Sequence, residues 1–142
     1  KKDSKYKLLM IGSGVLKNDV KRTIHREQLD SRVQLRDRIP NKDIWELYRF
    51  AEAFVNLNQH EILGMAILEA MYYGCRVVAW NAPGPDSMIE NGVSGWIVEN
   101  NQQVIEKIED VTPIGKAAHN RIMDEFLWES TAAKIYPVLE KI

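Results

Sequence analysis

The stretch that decides the fold is Asn58-Gln59-His60-Glu61-Ile62-Leu63-Gly64-Met65-Ala66-Ile67-Leu68-Glu69-Ala70-Met71-Tyr72-Tyr73-Gly74. It follows an apolar run that reads as a buried strand, and it opens a helix. From Met65 to Tyr73 every residue except Glu69 is apolar or aromatic, and a helix that is apolar all round is a buried one. An ionised carboxylate in its middle is costly unless hydrogen-bond donors meet it, so Glu69 requires a partner, either a protein group or a ligand hydroxyl. Glu61 lies eight residues earlier. In one continuous helix the two would sit about 80° apart around the axis, but Gly64 favours a helix start there, with Glu61 in the loop at its mouth. The free N–H groups of such a start, reinforced by the helix dipole, form an anion site. Loop carboxylate, helix N-terminus and second-turn carboxylate would suit a sugar, a diphosphate and a ribose in that order. On spacing alone a plainer reading stands level with this one: a solvated loop acid and a satisfied core acid.

Outward from this segment, strand and helix patterns alternate. Strands are expected at 6–11, 32–35, 53–57, 76–80 and 95–98. Leu8-Leu9-Met10-Ile11 and Val77-Val78-Ala79-Trp80 are continuous apolar runs, as parallel strands covered on both faces require. Helices are expected near 16–29, 42–52 and 64–73, with Asn41 as N-cap of the second, after Pro40. Beyond Val98 the pattern turns helical, at 102–109 and 115–141, interrupted near Pro113 and at the Phe126–Trp128 join. The loop Asn81-Ala82-Pro83-Gly84-Pro85-Asp86-Ser87 reads as a sharp, rigid turn. Alternation of this kind implies an α/β fold, a Rossmann-like doubly wound parallel sheet flanked by helices, with ligands at the carboxyl ends of the strands.

The 142 residues suffice for one domain, 1–142, and one core. A formal net charge of −1 excludes the strongly basic balance of a nucleic-acid binder, although Lys1, Lys2, Lys5 and Lys7 cluster at the start. The single cysteine, Cys75, excludes an internal disulfide and reads as a small buried hydrophobe, in keeping with a reducing cytoplasm. No apolar run approaches the ~18 residues of a membrane span. No His/Cys/Asp grouping has metal-ligand spacing. His25 and His119 read as surface or packing residues, and His60 as a loop residue beside the site. Trp45, Tyr48 and Phe50 interleave with charge and read as core packing.

The pattern resembles the C-terminal, donor-binding domain of the family 4 retaining glycosyltransferases and their relatives of the two-domain GT-B architecture. The resemblance rests on Glu61, Gly64 and Leu68-Glu69-Ala70-Met71, two glutamates separated by seven residues before and within a Leu-Glu-Ala-Met helix. It extends to Gly74 and Val77-Val78-Ala79, and to Lys7-Leu8-Leu9-Met10-Ile11-Gly12-Ser13-Gly14 as an earlier strand and glycine loop. It extends also to Gly92-Val93-Ser94-Gly95-Trp96-Ile97-Val98 and to Phe126-Leu127-Trp128-Glu129. Nearly the whole chain is covered in one colinear order.

The resemblance implies that Glu61 contacts the transferred sugar as the catalytic residue and that Glu69 holds the ribose hydroxyls. The amides of Leu63, Gly64, Met65 and Ala66 would bind the diphosphate. Gly12 and Gly14 would line the donor cleft, where a plain tight turn is the alternative reading. Ile39, in Arg38-Ile39-Pro40, would hold the base through the backbone. The substrate implied is a nucleoside-diphosphate sugar, with no cofactor and no metal required. The acceptor, a saccharide or a lipid-linked one, would sit on an N-terminal domain expected upstream of Lys1, together with this domain's first strand and the Arg and Lys that neutralise the diphosphate. The isolated chain is therefore expected to be inactive. Trp128 and the helix after it match a segment that crosses back to that upstream domain. The expected place is the cytoplasm, with peripheral contact of the full-length protein to a membrane surface; no nucleic-acid partner is expected.

Two departures stand out: Ile62 where the family often has glycine, and Ser87 where the Gly-Gly-x-x-Glu pattern would place an acid. A dinucleotide-dependent oxidoreductase would want a third glycine where Lys17 stands, and a receiver-type module would want acids at Gly12. A nucleotide-sugar epimerase of the same architecture, or a non-catalytic nucleotide-binding module, are the nearest alternatives; the glutamate spacing with Leu-Glu-Ala favours transfer.

Overall fold

A computed structural model describes residues 6–140; Lys1, Lys2 and Lys5 of the basic cluster, and Lys141 at the end of the last expected helix, lie outside the described residues. Helices and strands alternate through the first five strands. The described residues fall into two compact units that divide between Ile44 and Trp45.

In the first unit, β1 (Leu8–Ile11) and β2 (Val33–Arg36) pair in parallel with Leu8 opposite Val33. They are joined by α1 (Lys17–Arg26). The apolar run of β1 is not covered on both faces as expected: Leu8, Met10 and Ile11 are exposed. Two strands and one helix supply too little surface for that. An apolar groove of about 350 Å³, lined by Leu8, Met10, Leu16, Val20, Ile24 and Val33 among others, runs along this unit. Helix α2 (Asn41–Phe50) then leads out of the unit. It begins at Asn41 itself rather than after it, and the Asp43 N–H donates to the Pro40 carbonyl at 2.9 Å.

The second unit holds the parallel sheet β3 (Phe54–Asn56), β4 (Val77–Trp80) and β5 (Trp96–Val98), in that order, with Phe54 opposite Val77 and Val78 opposite Trp96. Here the expectation of a doubly covered strand holds, for Val77, Val78 and Ala79 are fully buried. Helix α3 (Met65–Tyr72) connects β3 to β4 and buries Ile67, Ala70 and Met71, while its first residue, Met65, is exposed. The segment expected as a rigid turn is instead a short helix, α4 (Pro83–Met88). The first N–H groups of a helix have no intrahelical partner, so proline is tolerated in the first turn. Pro83 and Pro85 therefore start a helix rather than prevent one.

Helix α5 (Asn101–Glu109) is capped by Asn100, whose side chain accepts the Gln103 N–H at 2.9 Å. Val104 of α5 joins Val78 and Val98 in one cluster of the core. Helices α6 (Gly115–Glu125) and α7 (Trp128–Leu139) are separated at the Phe126–Trp128 join, as expected. Helix α6 packs on α3 through two glycines: a Cβ on Gly115 would lie 2.1 Å from the Gly74 carbonyl oxygen. Trp128 is exposed, and no residue of α7 is buried.

Candidate functional site

Strand β3 ends at Asn56, and the loop after it is organised by its own side chains. The Asn58 N–H donates to the Asn56 side-chain oxygen at 2.9 Å, and the His60 N–H donates to that of Asn58 at 3.1 Å. These successive Asx turns bring Glu61 to the mouth of α3. Gly64, the N-cap, takes the left-handed conformation with φ 59°, which glycine adopts without steric cost.

The Glu61 carboxylate is held at three points. Its Oε1 accepts the Gly64 N–H at 2.9 Å, and its Oε2 accepts the side-chain amides of Asn56 at 3.2 Å and Asn58 at 3.4 Å. The Gly64 N–H foremost, with the Asn56 amide next and smaller contributions from Asn58 and the Leu63 N–H, outweighs burial and holds this carboxyl below its ordinary value of 4.5. Glu61 is therefore an ionised, oriented acceptor. Its main chain is fixed as well, because its carbonyl accepts the Gly84 N–H at 2.9 Å. A Cβ on Gly84 would meet the Ile62 carbonyl at 2.9 Å. Ser87, standing where an acid was expected, donates its hydroxyl to the Gly84 carbonyl at 2.7 Å and so belongs to the support of this loop.

Of the four amides assigned to the anion site, the structure divides the roles. Gly64 gives its N–H to Glu61, while the N–H groups of Met65 and Ala66 have no acceptor among the described residues. The Ile67 and Leu68 N–H groups both return to the Gly64 carbonyl, at 2.8 and 3.2 Å. Met65 and Ala66 are thus the open donors of the helix start.

Glu69 lies on the second turn, half-buried. The protein group that meets it is the Tyr48 hydroxyl, which donates to Oε2 at 3.1 Å. Burial first, and the adjacent carboxylate second, push the Tyr48 phenol well above its ordinary range, so it stays protonated. Glu61, Leu63, Gly64, Met65, Ala66 and Glu69 all lie in the second unit, and Gly12, Gly14 and Ile39 in the first. Gly12 has φ 149°, and a Cβ on Gly12 or Gly14 would meet nothing within 4 Å, so neither glycine is required by crowding within the described residues.

Asn56, Asn58, Tyr48 and Gly84 were not singled out from the sequence for these roles. The asparagines carried a signal, an N-x-N-x-x-E spacing that fits nested Asx turns. Tyr48 carried none beyond its helical position.

Residues 1–123 match the family described as glycosyl transferases group 1. The chain belongs to that family. It is 32% identical over 111 residues to spore coat protein SA of Bacillus subtilis (strain 168), covering 70% of this chain and 29% of that protein. The fold is similar to that in the crystal structure of TarM, with a TM-score of 0.81 and 23% identity, over 96% of this chain and 29% of that one. It is similar also to Anabaena HepE, solved in complex with UDP-glucose, with a TM-score of 0.77 and 23% identity over 96% and 41% of the two chains. The chain thus spans less than half the length of each of these proteins. Among its described residues no helix is long and apolar enough to cross a membrane.

Proposed function

We propose that this chain is the donor-binding part of a retaining glycosyltransferase, which moves a hexosyl group from a nucleoside-diphosphate sugar to a saccharide or lipid-linked acceptor. The observation that carries the reading is the order Glu61, open helix N-terminus, Glu69 within one nine-residue stretch of a group 1 glycosyltransferase domain. The diphosphate lies against the Met65 and Ala66 amides, where main-chain donors and the helix dipole stabilise the charge that develops as the sugar–phosphate bond breaks. Glu61 accepts from sugar hydroxyls, and Glu69 from the ribose. Gly12, Gly14 and Ile39 are read as donor-binding residues of the first unit. The nucleotide-sugar choice is supported by HepE, a fold relative solved with UDP-glucose.

In this account the leaving group is stabilised by main-chain amides and the helix dipole rather than by a metal, so chelation with EDTA leaves turnover of the full-length protein unchanged. Acceptor binding and peripheral membrane contact in the cytoplasm belong to the full-length protein. Product analysis tests the reading: the new linkage carries the donor's anomeric configuration. An inverted centre contradicts it.

A further inference from the structure

Glu69 and Tyr73 are four residues apart and share one face of α3 and its C-cap. Tyr48 of α2 lies along that face. Its ring stacks on Tyr73, with centroids 6.3 Å apart and planes at 14°, and meets the edge of Phe54 at 5.6 Å. The residue is 6% exposed. With its ring packed on Tyr73 and Phe54, the phenol directs its hydroxyl to Glu69 Oε2 at 3.1 Å. Buried tyrosine hydroxyls need a partner, and many find a main-chain carbonyl. This one is aimed at the one carboxylate of an otherwise apolar helix. Among the described residues Glu69 Oε1 carries no hydrogen bond and no cation contacts the group.

We propose that Tyr48 is a positioning residue for donor binding: its hydroxyl locks the Glu69 side chain through Oε2 and leaves Oε1 to accept from the nucleotide ribose. The inference rests on the reading of Glu69 as the ribose anchor. A carboxylate on two methylenes has several rotamers, and fixing it before the ligand arrives removes part of the ordering cost of binding. The phenol suits the task because it donates over the whole working pH range and adds no competing charge.

The test compares UDP with its 2′,3′-dideoxy analogue by competition on the protein, in wild type, Tyr48→Phe, Glu69→Gln and the double variant. Glu69→Gln reports on the underlying reading alone: it must bring UDP down towards the dideoxy analogue. Given that, Tyr48→Phe is expected to weaken UDP about tenfold, the scale of a lost charge-assisted hydrogen bond. Dideoxy-UDP affinity stays unchanged, as does the melting temperature within a few degrees, because the ring contacts remain. In the Glu69→Gln background the Tyr48 effect disappears, the mark of two groups acting through one interaction. Equal loss for both ligands, an additive double variant, or a Tyr48→Phe protein that does not fold overturns the proposal, since each assigns the hydroxyl to stability instead. A Glu69→Gln variant that leaves the UDP preference intact overturns the ribose reading itself.

Discussion

At the residue scale, Glu61 and Glu69 are both ionisable groups with neutral donors around them, and they differ in what those donors do. Glu61 is gripped by the Gly64 N–H and two asparagine amides. Its folded carboxyl is held below the unfolded value, so its bonds contribute stability above the ordinary carboxyl range and lose it as pH falls through the folded value. Glu61→Gln should accordingly melt below wild type at neutral pH, with the difference closing once the pH drops under about 4; a gap independent of pH would detach the stabilisation from the charge. In the full-length enzyme the same substitution should lower turnover far more than it weakens bare nucleotide. Glu69→Gln should do the reverse, weakening nucleotide by about 1.5–3 kcal/mol in calorimetry on a folded variant. Both glutamates were legible in the sequence because a lone acid in an apolar helix and an acid before a glycine are local patterns. Tyr48 was not legible, since a bond across 21 residues leaves no mark on spacing. Its neighbour Phe50 was read as core and is 84% exposed; two residues past Tyr48 lies about 200° round the helix, on the opposite face.

At the scale of elements, two glycine contacts separate stability from function. Gly115 touches the Gly74 carbonyl far along α3 from Glu61, and Gly84 touches the Ile62 carbonyl in the Glu61 loop itself. Alanine at either forces backbone apart, which costs on the order of 1–3 kcal/mol. Gly115→Ala should lower the melting temperature and leave donor affinity of the folded fraction intact. Gly84→Ala should lower both the melting temperature and turnover, because it also removes the Glu61 loop from its seat. Identical effects of the two in a paired melting and kinetic assay would deny α4 a role in holding that loop. Nothing in the pattern marked α4 as a helix: proline and glycine punctuate turns and helix starts alike, and a six-residue helix has no periodicity to read. The β–α alternation elsewhere was legible because α1, α2 and α3 are each eight residues or longer.

At the scale of the whole molecule, the chain carries a family match over residues 1–123 but spans 29% of spore coat protein SA. Positioning a donor and an acceptor in one site can be worth about 7–11 kcal/mol of barrier, and charge-assisted bonds to a diphosphate are about twice as strong as those from neutral donors. The 142-residue chain is therefore expected to bind nucleotide-sugars weakly and to transfer nothing when given labelled donors and a saccharide or lipid extract. Steady transfer that disappears in Glu61→Ala would show it to be self-sufficient.

Amide resonances report in one experiment whether the helix start between Glu61 and Glu69 is the donor site. A ¹⁵N–¹H titration of the chain with UDP-, GDP- and ADP-sugars reads each backbone N–H in turn. For one of the three, saturable shifts are expected that are largest at Met65 and Ala66, extend to Leu63 and Gly64, and fade in Glu69→Gln. Saturable shifts centred elsewhere, with Met65 and Ala66 unmoved, would contradict that assignment.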